Sequence, residues 1–132
     1  MNGNYGSLVV LICIVTAAIF VWPRIARAQQ GLDAQVIAQL QQAGSDLSKP
    51  HPIEFFLYVP THEAAERLAS KIRGLNFDAK VAPAAKGSDW AVLATRSMIP
   101  AEPELAQLRK TFVALAAAEH GTYDGWGTEV VK

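Results

Sequence analysis

Ile53-Glu54-Phe55-Phe56-Leu57-Tyr58-Val59, followed by Pro60-Thr61-His62-Glu63, decides how the rest of the chain is read. The first seven residues are mostly aromatic or branched and can alternate between two faces, which is the pattern of a strand. Ile53, Phe55, Leu57 and Val59 fall on one face, Glu54, Phe56 and Tyr58 on the other. Pro60-Thr61 then breaks the period and opens a helix, with Thr61 placed to cap it. Ala65, Leu68, Ala69 and Ile72 form the buried stripe of that helix, and Gly74 closes it.

Working outward, Phe77, Ala79 and Val81 alternate with Asp78 and Lys80 and predict a second strand, and Trp90 to Thr95 predicts a third. Pro100 and Pro103 mark the entry to a helix on which Leu105, Leu108, Phe112 and Leu115 share a face. Gly121 ends it and Thr122 to Val131 is a last strand. Upstream, Leu32, Val36, Ile37 and Leu40 recur at helical spacing, Gly44 suits the left-handed position after that helix, and Ser45 to Pro52 reads as a loop. The fold class is therefore α+β: a ferredoxin-like βαββαβ sandwich with an extra N-terminal helix. Right-handed crossovers set both main helices on one side of the sheet, the first and third strands being central.

The chain divides into residues 1–31 and 32–132. Met1 to Pro23 carries no charged side chain, whereas all 12 acids and all 12 bases lie from Arg24 onward. Only Arg24 and Arg27 fall between that stretch and Leu32, so the part from Leu32 on has net charge −2. Tyr5 to Trp22 is apolar enough to cross a bilayer as a helix of about 27 Å, with Tyr5 and Trp22 at its two interfaces. Arg24 and Arg27 directly after it place the C-terminal part in the cytoplasm. The expectation is one transmembrane helix in a bacterial inner membrane. A cleaved signal peptide is the rival, on the strength of Ala26-Arg27-Ala28. Cys13, the sole cysteine, lies within the apolar run, so the domain has neither a disulfide nor a thiol nucleophile.

Nothing in the domain assembles catalytic chemistry. His51 reads as a loop residue, His62 lies at a helix start and His120 near a helix end, and none has a partner at metal-ligand spacing. Glu63, Glu66, Arg67, Lys71 and Arg73 read as a solvated helix face. No loop cradles phosphate, so no cofactor, metal or small-molecule substrate is expected. A near-neutral charge also argues against general nucleic-acid binding. The candidate site is instead a surface for a protein partner. Phe56 and Tyr58 point away from the helices, and Trp126 can join them; such a face can bind a partner, take the Leu32–Ala43 helix as a second layer, or stack RNA bases. The densest signal is Tyr123-Asp124-Gly125-Trp126-Gly127-Thr128. Two glycines around a tryptophan suggest a bulge or a close backbone approach, with Trp126 either covering the core or anchoring a partner.

Gly44-Ser45-Asp46, Glu54-Phe55-Phe56-Leu57-Tyr58 and Tyr123-Asp124-Gly125-Trp126-Gly127 resemble the regulator of ribonuclease E activity B family over about residues 32–131. That resemblance implies a ferredoxin-like, non-catalytic domain that binds ribonuclease E and lowers its cleavage of RNA. The alternative from the element order alone is a membrane-anchored, extracytoplasmic cell-wall-binding domain of the sporulation-related type.

Overall fold

The computed structural model of the chain describes Val9, Val10 and residues 33–132. In chain order the elements are β1 (Val9–Val10), α1 (residues 33–42), β2 (His51–Val59), α2 (His62–Arg73), β3 (Asp78–Pro83), β4 (Trp90–Met98), α3 (Glu102–Ala118) and β5 (Thr122–Glu129). The sheet runs β1-β5-β2-β4-β3, and every neighbouring pair is antiparallel. Its four long strands therefore have β2 and β4 in the middle, as the element order predicts. Among the described residues no helix is long and apolar enough to cross a membrane. The helix expected over residues 5–22 lies outside the described residues apart from Val9 and Val10. These two are not helical but pair with Glu129 and Thr128 along the outer edge of β5.

The period-two pattern of β2 is realised along its whole length, with burial alternating from His51 to Val59. The strand begins two residues earlier than its apolar run, because His51 is itself an inward-facing, fully buried residue. Pro52 is tolerated near the strand's start, ahead of the ladder to β5, which begins at Glu54. The inner face rests under α2, which lies over β3 and β4, and α3, which lies over β5 and β2. Phe55 is the centre of an aromatic group: its ring is 4.9 Å from Phe112 and 5.7 Å from Phe77, and Phe112 is 5.8 Å from Tyr123. Of the residues the sequence sets inward, Phe55, Leu57, Leu68, Ile72 and Phe112 are buried, as is Val92 on β4, while Leu108 packs half-buried at the margin and Leu105 takes the deeper position.

Local chemistry fixes the ends of the elements. The Thr61 hydroxyl accepts from the Ala64 N–H at 3.1 Å, satisfying one of the free donors at the start of α2. At the far end Arg67 grips Glu119 with a two-pronged contact, its Nη2 donating at 2.9 Å, and Lys71 Nζ stands 3.7 Å from the same carboxylate. Arg67 thus holds Glu119 below the usual carboxylate range and ties α2 to the end of α3. The solvated charged face expected on α2 is present, with Glu63, Glu66, Arg67, Lys71 and Arg73 all exposed, and from it Arg67 and Lys71 also reach Glu119 after α3. The chain then enters β5 through Gly121, where a Cβ would lie 2.2 Å from the Tyr58 carbonyl oxygen, so only glycine permits this approach of backbone to backbone.

The sequence left α1 free to cover the outer sheet face. It does not. Val36 and Leu40 join the same core as Phe55 and Phe112, so α1 belongs to the helix layer, and no described helix covers the opposite face.

Candidate partner-binding site

The Tyr123–Thr128 element contains the bulge that its glycines predict. Phe56 pairs with Gly125 but Leu57 pairs with Tyr123, leaving Asp124 as the extra residue on β5. This reverses the parity of the strand. In an unbroken strand, residues 123 and 126 would face opposite ways; with Asp124 inserted, Tyr123 sits beside Leu57 and Trp126 beside Phe55, both on the inner face. Gly125 turns the bulge with a φ of 108°, a conformation that side-chain-bearing residues rarely adopt.

Trp126 is therefore a core residue, only 3% exposed, and the idea that it joins Phe56 and Tyr58 on the open face is corrected by the bulge. Its indole Nε1 donates to Asp33 Oδ1 at 2.9 Å, and Arg109 donates to the other oxygen of that carboxylate. Asp33, Arg109 and Trp126 are all buried. Burial pushes the Asp33 carboxyl up, and the Trp126 hydrogen bond and the Arg109 charge pull it back part of the way. Neither Asp33 nor Arg109 stands out as a pair in the sequence, but Arg109 falls four residues after Leu105 on the inward stripe of α3, and a cation there requires a buried partner.

Tyr123 is buried as well, and burial pushes its phenol up. Gly127 is buried, while Asp124 and Gly125 remain half-buried at the surface. For Asp124, burial pushes the carboxyl up to about 6. Of the residues expected to meet a partner, then, Phe56, Tyr58, Asp124 and Gly125 retain surface, Tyr123 and Trp126 lie beneath on the inner face, and Gly127 stands on the outer side beside Glu54 but is buried. Register brings Phe56 and Gly125 side by side on the outer face, with Tyr58 next to Thr122. With no Cβ at Gly125, the flank of the Phe56 ring on that side is left uncovered by the neighbouring residue.

The histidines are accounted for by structure. His51 Nδ1 lies 2.8 Å from the Lys49 carbonyl, which can only accept, so this nitrogen carries the proton. Nε2 then accepts from the Ser45 hydroxyl at 2.6 Å, while Ser45 Oγ accepts from the Val131 N–H at 3.0 Å. This corrects the reading of His51 as a loop residue: it begins β2 and clasps the C-terminal residues to the loop after α1. The serine and histidine are both buried and saturated by one another and by backbone, with no surface for a substrate. His62 contacts Glu66 at 3.2 Å and the Trp90 ring at 4.5 Å. His120 takes a φ of 58° in the turn after α3. No group of three metal-ligating side chains occurs among the described residues.

The described domain is thus a βαββαβ sandwich in which no described helix covers the outer sheet face. Comparison with known families matches residues 31–128 to the family described as Regulator of ribonuclease activity B, and the chain belongs to that family. No curated protein matches it.

Proposed function

We propose that this protein is a non-catalytic regulator that binds ribonuclease E, lowers its cleavage activity and so slows bacterial RNA decay. The observation that carries the reading is the family match across residues 31–128, nearly the whole described domain. In this reading the partner meets the outer sheet face around Phe56 and Tyr58, with the neighbouring Asp124 and Gly125, and the support is that these four residues keep accessible surface. In the same proposal residues 5–22 tether the domain to the inner membrane, with Lys132 on the cytoplasmic side. The support is the uncharged run from Tyr5 to Trp22 and the two arginines after it. A spanning helix there takes Val9 and Val10 away from β5, because the same residues cannot serve both structures.

Two measurements test this reading. Purified full-length chain, solubilised in a non-ionic detergent, should retain ribonuclease E on an affinity support, and failure to retain it would refute the regulatory assignment. A C-terminal reporter active only outside the cytoplasm should stay silent; strong activity would refute the orientation.

A further inference from the structure

Strand register lays out the open face as three rows. The first holds Gly127, Glu54, Thr95 and Asp78; the second Gly125, Phe56, Leu93 and Lys80; the third Thr122, Tyr58, Ala91 and Ala82. Phe56, Leu93 and Ala91 are half-buried although no described helix lies over them, and register sets them next to Ala82 and Tyr58 as adjoining apolar positions. Four strands measure about 14 Å across, the length of roughly two and a half helical turns. Along one side of that centre run two carboxylates, Glu54 and Asp78, and Asp124 stands at the β5 bulge; among the described residues of the three rows the single base is Lys80.

This charge pattern selects among occupants. RNA brings a phosphate for every base it stacks, and a face with two carboxylates to one lysine repels that backbone. A second copy of the chain, packed face to face, brings the same excess of acid and leaves like charges unmatched. An amphipathic helix from a protein partner suits both features at once, since one face of it is apolar and its end can carry bases.

We propose that the open sheet face receives an amphipathic helical segment of the partner, its apolar stripe seated on Phe56, Leu93 and Ala91 and its Lys/Arg-bearing end against Glu54 and Asp78. The inference rests on the functional reading above, in which ribonuclease E supplies the segment. It assigns the contact to the strands rather than to the helix layer, and makes the acid row a determinant of orientation and salt sensitivity.

The test uses the full chain in non-ionic detergent, purified ribonuclease E, and a labelled single-stranded RNA as a second probe. Two variants alter the face, Glu54→Lys with Asp78→Lys, and Phe56→Ala; a third, Lys110→Glu, alters the exposed side of α3. Melting curves verify that each is folded. The charge reversal should weaken ribonuclease E binding about tenfold at low salt and much less at high salt. Phe56→Ala should weaken it about thirtyfold at both, as loss of a hot-spot aromatic does. Lys110→Glu should change nothing, and the RNA should not bind the wild-type face. Undiminished binding by both face variants would overturn the inference while leaving the regulatory reading intact, as would a loss confined to Lys110→Glu. RNA binding that Phe56→Ala abolishes would overturn it in favour of base stacking. A wild-type chain that fails to bind ribonuclease E would remove the regulatory reading and this inference together.

Discussion

Trp126 and Asp33, at opposite ends of the domain sequence, meet in the core through an indole-to-carboxylate hydrogen bond of 2.9 Å. The contact joins β5 to α1, and Arg109 on α3 completes it from the second helix. Three elements distant in sequence are fixed by one carboxylate, so its removal should be felt throughout the domain.

Asp33→Asn should destabilise the fold by about 3–5 kcal/mol, since it leaves the Arg109 guanidinium buried without a counter-charge. Trp126→Phe keeps much of the ring volume but removes the indole donor, and should cost about 1–3 kcal/mol. Trp126→Ala adds a cavity and should cost about 3–5 kcal/mol. Chemical denaturation of the three variants should rank them so, with Trp126→Phe the mildest. A Trp126→Ala variant that melts like the wild type would mean that the side chain is not a core member.

Gly125→Ala isolates the backbone cost of the bulge. Nothing lies within 4 Å of a Cβ placed there, so no side-chain clash intervenes, and only the φ of 108° opposes the substitution. The expected loss is about 1–3 kcal/mol. If stability is unchanged, the bulge does not require glycine, and the inward placement of both Tyr123 and Trp126 must have another cause.

Asp124 gives the domain a pH signature. Burial raises its carboxyl to about 6 from an ordinary value of 3.8. The folded state therefore binds more protons than the unfolded state between these values, and stability falls as pH rises through that window. Allowing for partial solvent screening, the ionised form should cost about 1 kcal/mol at neutral pH. Asp124→Asn should thus be more stable than wild type at pH 7 and lose that advantage towards pH 4. An advantage equal at both pH values would show that charge is not the cause.

The sequence made some of these features legible and hid others for physical reasons. The strand from Ile53 and the helix after Thr61 were readable because alternation and capping are local. Gly125 and Gly127 signalled a bulge, but its position was not readable: whether Trp126 faces in or out depends on which residue is left unpaired against β2, and that is Asp124. The Asp33–Arg109 pair was hidden by a separation of 76 residues. The position of α1 was open because its stripe, Val36 and Leu40, fits either side of a sheet; the buried carboxylate at its start decides for the helix layer. The site was legible to the extent that Phe56 and Tyr58 lie opposite Phe55 and Leu57, while the supporting role of Tyr123 and Trp126 required the register.

The most direct measurement of the central claim is the rate at which purified ribonuclease E cleaves a single-stranded RNA as the full-length chain is titrated in. A saturable fall in rate is expected with the wild-type chain, and a curve displaced to about thirtyfold higher concentration for a folded Phe56→Ala variant. A cleavage rate that stays constant at every concentration of folded wild-type chain would contradict the claim.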